Sequence, residues 1–181
     1  MKRRIVLASV VCVIVVVTIA TAFWLRSKDT KNPVETMLGG IQVVETLREP
    51  DRVEAYRLKP VDFYGELQQS TVADFSIESG PIDVPREIRT RVSTALLADD
   101  SYGWDYAKPC VPRYGVRLTF IRGTERVDIL FCFECDTLAV FHNDSVSGGE
   151  DFDPARPIFV KAVKVLFPQD KVIQKLKAKK R

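Results

Sequence analysis

Tyr114-Gly-Val-Arg-Leu-Thr-Phe-Ile121, a connection Arg122-Gly-Thr-Glu125, and then Arg126-Val-Asp-Ile-Leu-Phe-Cys-Phe133 run on into Thr137-Leu-Ala-Val-Phe-His142. Polar and apolar side chains alternate from Val116 to Phe120, and Gly123 sits in the short connection. The three segments therefore read as a β-meander. With Arg122 opposite Glu125, Val116 falls opposite Phe131 and Tyr114 opposite Phe133. Side chains alternate across a strand, so one face collects Val116, Leu118, Phe120, Ile129, Phe131 and Phe133. That face is predicted to be the core side.

On the N-terminal side, Val34 to Leu47 reads as a short helix despite Gly39 and Gly40, and Arg52 to Leu58 reads as a strand closed by Pro60. Ser70 to Ile77 is a second extended stretch ending at Gly80-Pro81. Asp83 can cap a helix with Pro85 in its first turn, which places Ile88, Val92, Ala95 and Leu96 on one face and stops near Asp99-Asp100. A loop through Tyr102, Gly103, Trp104 and Tyr106 leads to Pro109-Cys110, and its aromatic rings are expected to pack over the open end of the core. Beyond the meander, residues 143 to 154 read as an acidic loop. Pro157 to Leu166 and Val172 to Leu176 read as a terminal helix broken by Pro168, with Ile158, Val160, Val163 and Leu166 covering the sheet. The expected fold is α+β: a small antiparallel sheet of about five strands, with helices packed on one face and one transmembrane helix in front.

That leading helix is read from Ile5 to Leu25, 21 residues without a charge. At about 1.5 Å per residue it reaches roughly 31 Å, enough to cross a bilayer's hydrocarbon core. Lys2, Arg3 and Arg4 precede it; Phe23, Trp24, Arg26 and Lys28 resemble an interfacial border behind it. Ala20-Thr21-Ala22 would also suit a signal peptidase, so cleavage after Ala22 is the alternative to a retained anchor. Cys12 follows Val10 and Val11, where a lipoprotein signal wants a small residue. The expected organisation is a basic N-terminus (1–4), an anchor (5–25), a tether (26–33), one α+β domain (34–176) and a basic tail (177–181). A short N-terminal tail remains cytoplasmic, which puts the domain outside the cell membrane.

The formal net charge of +3 averages unlike regions. Residues 32 to 170 carry fifteen basic and twenty-three acidic residues, while 171 to 181 carry six basic and none acidic. An acidic body lacks the basic face that releases counterions from a phosphate backbone, so no nucleic-acid partner is expected.

Three stretches carry a likeness: Asp51-Arg-Val-Glu-Ala-Tyr-Arg-Leu-Lys-Pro60, Cys110-Val-Pro-Arg-Tyr-Gly-Val-Arg117 and Val127-Asp-Ile-Leu-Phe-Cys-Phe-Glu-Cys135. Over residues 50 to 142, with gaps, the chain resembles an uncharacterised family of bacterial exported or membrane-anchored proteins, with a Cys-x-Pro-x-x-Gly-x-Arg strand followed by a Cys-Phe-x-Cys strand. The resemblance implies a bacterial source and supplies no activity.

Cys110, Cys132 and Cys135 fall in the domain, and outside the cytoplasm two of them should pair. The meander register sets Cys135 opposite Pro112, one diagonal step from Cys110, and points Cys132 to the other face, so Cys110 to Cys135 is the expected bridge. A bulge between Phe133 and Thr137 would make Cys110 to Cys132 equally good. The competing reading is a thiol redox or metal-handling protein using the three cysteines, with Glu134 or His142, the only histidine, as a further ligand. Redox Cys-x-x-Cys pairs lie at helix N-termini, and zinc sites want two short-spaced ligand pairs; neither pattern is present. Glu134 and Asp136 are expected to be solvated. Asp144, Glu150, Asp151 and Asp153 offer hard oxygens to calcium but not at helix-loop-helix spacing. The tail Lys175, Lys177, Lys179, Lys180 and Arg181 could touch anionic lipid. The sequence thus points to a non-enzymatic, membrane-tethered extracytoplasmic domain that needs no cofactor and binds another envelope protein.

Overall fold

A computed structural model describes residues 32–60, 70–104 and 108–179. The anchor read at 5–25 and Tyr106 lie outside the described residues, and among those described no helix is long and apolar enough to cross a membrane. In chain order the elements are α1 (Pro33–Leu38), α2 (Ile41–Arg48), β1 (Arg52–Leu58), β2 (Ile77–Asp83), α3 (Arg86–Leu96), β3 (Val116–Arg122), β4 (Glu125–Cys132), β5 (Thr137–His142), β6 (Ser145–Asp151), α4 (Arg156–Leu166) and α5 (Lys171–Gln174). The six strands form one antiparallel sheet in the order β2-β1-β3-β4-β5-β6.

The meander register is as read from the sequence: Arg122 pairs with Glu125 and Val116 with Phe131. The face holding Val116, Leu118, Phe120, Ile129, Phe131 and Phe133 lies in the main core. Against it pack Val34 and Leu38 of α1, Val43 and Leu47 of α2, Val92 and Leu96 of α3, and Phe159, Val160 and Val163 of α4. Phe131, Phe133, Phe152 and Phe159 form its aromatic centre, with ring centroids 5.0 to 5.9 Å apart. Such rings bury the largest apolar areas available to a small domain. Tyr102 and Trp104 pack at the edge of this core, and the Tyr102 hydroxyl donates to the Leu96 carbonyl at 2.6 Å.

Several elements differ from the sequence reading. Residues 143 to 154 are not simply an acidic loop, because Ser145–Asp151 form β6 on β5. Asn143 and Asp144 both take positive φ, the backbone that a two-residue hairpin turn requires. Gly148 is needed in β6, since a Cβ there would overlap the carbonyl oxygen of Met37 in α1. Gly80-Pro81 do not end an extended stretch but lie within the edge strand β2, joined by a cis peptide bond, while Val72–Asp74 make a 3-10 turn. Asp83 ends β2 and does not cap α3, whose N-cap is Pro85. Positive φ at Gly39 and Gly40 splits the first helix in two. Ile158 is exposed rather than covering the sheet, because Phe159 takes the core position beside it.

The last helix begins at Lys171 because Asp170 caps it. One carboxylate oxygen accepts the Val172 and Ile173 N–H groups at 2.8 and 2.9 Å; the other takes the buried Arg57 Nε at 2.6 Å. Burial opposes the charge on Asp170, but the Ile173 N–H, Arg57 and the Val172 N–H outweigh it and hold this carboxyl below its ordinary value. A carboxyl with a depressed folded pKa stabilises the fold above its unfolded pKa of about 3.9 and loses that contribution as pH falls through the folded value. Asp170→Asn, which keeps a cap oxygen and removes the charge, is expected to lower stability at pH 7 by about 1 to 3 kcal/mol. Urea unfolding of both proteins from pH 7 downward should show the difference closing below about pH 4.

Candidate functional site: the cysteine turn

Beyond Gly115, whose N–H donates to the Phe131 carbonyl at 3.0 Å, β3 no longer pairs with β4. The expected Tyr114 to Phe133 pair does not form, because the chain turns at residues 133–136 to enter β5. Cys110 and Cys135 are nonetheless placed as a disulfide pair, with Cα atoms 5.9 Å apart, within the span such a bond allows. The pair is the expected one, but the turn, not strand register, brings Cys135 to Cys110.

Cys132, at the end of β4, is buried with a free thiol. It does not point away from Cys135: both belong to a second apolar cluster on the sheet's other face, with Leu58, Val72, Phe75, Tyr114, Leu130, Ala139 and Phe141. The Cys132 sulfur accepts the Arg113 N–H at 3.1 Å and the Cys135 N–H at 3.4 Å. Phe75 closes this cluster edge-on to Tyr114 and Phe141, and burial pushes the Tyr114 hydroxyl well above its ordinary pKa, with Cys132 adding to the rise.

The turn is clamped from three sides. Arg156, at the start of α4, donates to the carboxylate of Asp136 and, at 2.8 Å, to the Phe133 carbonyl; its Nε reaches the Lys177 carbonyl at 2.9 Å. Lys108 donates to the Cys135 carbonyl at 2.9 Å and is paired with Asp151, at 2.5 Å, and with Asp153. Burial opposes the Lys108 charge, but its bonds to the two carboxylates prevail and raise its pKa. The Phe152 N–H donates to the Asp136 carbonyl at 2.7 Å. Sequence reasoning missed Lys108 and Arg156. The unusual density of acids around 136 and 151–153 was their only trace.

The other candidates are dispersed. Asp136 is fully buried, against the expectation of a solvated acid pair, because Arg156 supplies its charge partner; Glu134 stays exposed, 3.4 Å from Arg113. His142 lies at the far end of β5 from the thiols and meets Glu125 at 2.5 Å, which holds that carboxyl below its ordinary value. The four acids weighed for calcium do not converge. Asp144 sits near Arg126 at the opposite end of β6 from Asp151, and the Lys108 ammonium occupies the place between Asp151 and Asp153 that a cation would need. Among the described residues no three His, Cys, Asp or Glu side chains are grouped to hold a metal. Lys175, Lys177 and Lys179 of the tail are exposed.

One surface feature was not read from the sequence. A groove of about 1000 Å³ runs between α3 and α4, lined by Thr94, Ala95 and Ala98 on one wall and by Ile158, Ala162 and Val165 on the other. Ile158 and Val165 are exposed, and Arg91 is held by Glu87 at 2.8 Å. Asp100 and Lys161, also at the groove, have no ion partner among the described residues.

Comparison with protein-family models, with curated proteins and with solved structures finds no match.

Arg156→Met removes a buried charge partner from the Asp136 carboxylate and is expected to cost about 3 to 5 kcal/mol. Glu134→Ala, on the same turn, should stay within about 0.5 kcal/mol. Denaturant midpoints of the two variants measure the contrast, and equal effects would remove the clamp from the account.

Proposed function

We propose that this chain is a membrane-tethered, extracytoplasmic, non-enzymatic domain whose work is to bind another envelope protein, and that the partner lays a short amphipathic helix in the groove between α3 and α4. The groove carries the proposal. Its walls are two stripes, Glu87, Arg91 and Thr94 of α3 continued past the helix end by Ala98 on one and Ile158, Ala162 and Val165 of α4 on the other, spaced three or four residues apart so that each helix presents one side. A third helix, about 10 Å across, fits such a channel over roughly three turns. Ile158 and Val165 offer it apolar contact, while Lys161 and Asp100 offer one charge of each sign to a helix carrying the opposite pair. The Cys110 and Cys135 placement favours an oxidising compartment, where such bonds persist. The leader favours a membrane tether.

A photoreactive residue at Thr94, in intact cells, should give one discrete adduct that Val165→Glu removes, whereas the same residue at Glu78 on the β2 edge should give none. Equal adducts at both positions, or insensitivity to Val165→Glu, would refute the groove as the binding face. The compartment is tested by reporters fused after Arg181: alkaline phosphatase should be active there and a cytosol-dependent fluorescent protein dark. The reverse pattern would place the domain inside.

A further inference from the structure

The cysteine turn holds a thiol whose chemistry the proposed binding face does not use. Cys132 and Cys135 are buried, whereas Cys110 is exposed. Two backbone N–H groups, from Arg113 and Cys135, are aimed at the Cys132 sulfur at 3.1 and 3.4 Å. Donors converging on one atom stabilise negative charge as it develops there. One of them belongs to the residue whose sulfur is bonded to Cys110, so the free thiol is hydrogen-bonded to the backbone of the disulfide's buried half. Cys132 and Cys135 are three residues apart where the chain reverses direction. Residues so spaced in a turn have Cα atoms within about 7 Å, a distance that overlaps the span of a disulfide.

We infer that Cys132 exchanges with the Cys110–Cys135 disulfide and thereby makes Cys110 an exposed thiol site for low-molecular-weight disulfides and soft electrophiles. As the turn opens locally, the Cys132 thiol gives its proton to water, and its sulfur attacks Cys135 Sγ. A Cys132–Cys135 bond forms as the Cys110–Cys135 bond breaks. The electron pair leaves on Cys110 Sγ, which takes a proton from solvent. One disulfide and one thiol stand on each side, so no oxidant or reductant is consumed. The direction of attack follows from access: Cys132 and Cys135 share the sheet's second apolar cluster, which closes Cys132 to outside reagents. Lys108 and Arg156 hold the backbone of residues 133–136 while the bond moves. The product buries the new disulfide and leaves the reactive group outside. This goes beyond the binding role and does not depend on it.

The test uses the full chain, purified without reductant and treated with N-ethylmaleimide under native conditions. Disulfide-preserving peptide mapping then separates Cys12, Cys110, Cys132 and Cys135. The expected result is label accumulating on Cys110 together with a Cys132–Cys135 linked peptide, since alkylation traps the exchanged form. In Cys132→Ser, labelling of Cys110 should fall at least about tenfold, because the attacking sulfur is gone. Native label on Cys132 with the Cys110–Cys135 link intact, or equal labelling of Cys110 in both proteins, would overturn the exchange. Should Cys132→Ser fold poorly, the wild-type map decides alone: a Cys132–Cys135 linked peptide supports exchange, and its absence after exhaustive labelling refutes it.

Discussion

The carboxylate of Asp136 is fully buried at the turn between β4 and β5, and the guanidinium of Arg156 is the charge that makes this tolerable. Moving an isolated carboxylate into a protein interior costs several kcal/mol, which a single good partner offsets only if the remaining donors are also used. Arg156 meets that condition with bonds to the Phe133 and Lys177 carbonyls besides Asp136. Three distant parts of the chain are fixed by one side chain: the meander turn, the start of α4 and the segment after α5. Burial lowers the Arg156 pKa, yet a guanidinium stays charged at any physiological pH. The pair is therefore a permanent rivet, and its value lies in the geometry it selects. An apolar pair of the same volume could be as stable but would not fix a positive φ at Asp136 or hold the Cys135 turn against α4.

That geometry divides the second face of the sheet. Near the β4–β5 turn it is apolar, with Leu130, Cys132, Ala139 and Phe141 under Phe75 and Tyr114. Toward the β3–β4 turn it is polar: Asp128 is fully buried, accepts Thr119 Oγ at 2.5 Å, and lies 2.9 Å from Arg126 and 3.6 Å from Arg117. Arg117 in turn stacks over the Tyr56 ring at 4.2 Å, where its charge meets the ring's negative face. A sheet covered by helices on one side could leave its other side wet; here the middle of the other side, over β3, β4 and β5, is closed as well, by different chemistry. The consequence for the thiols is direct. Cys132 falls in the apolar half, and its sulfur accepts the backbone N–H groups of Arg113 and Cys135.

What could be read from the sequence follows from how local each signal is. The β3–β4 register was legible because Arg122-Gly-Thr-Glu125 fixes the turn and a one-residue slip would send Leu118, Phe120 and Ile129 to the wrong face. β6 was not legible, since Ser145-Val-Ser-Gly-Gly-Glu-Asp151 has neither alternation nor β-branched density; it is a strand because β5 offers an edge and α1 needs room for Met37 over Gly148. Gly80-Pro81 reads as a terminator in sequence, yet an edge strand can hold both residues, as it needs no ladder donor on its open side. The right thiol pair came from an incomplete argument, because register stops at Val116 and the turn at 133–136 depends on Arg156, twenty residues on. Asp136 looked solvated for the same reason: the charge that draws it inside comes from a helix the strand pattern cannot see.

The acidic stretch around Asp151 and Asp153 shows how a local reading is reversed by one distant residue. Two carboxylates two positions apart resemble the beginning of a cation site, and burial pushes Asp151 above its ordinary pKa. Lys108 places an ammonium between them and uses a further donor on the Cys135 carbonyl. A lysine there does what a bound ion would do, supplying charge and directional donors, but it is covalently two residues from Cys110. The acidic end of β6 therefore acts on the disulfide rather than on solvent ions: it pulls the segment before Cys110 against the turn that carries Cys135. Arg156 holds that turn from the core side and Lys108 from the outside. The two sulfurs meet because two cations, Arg156 buried and Lys108 half-buried and neither adjacent to a cysteine in sequence, have already fixed the backbones that bear them.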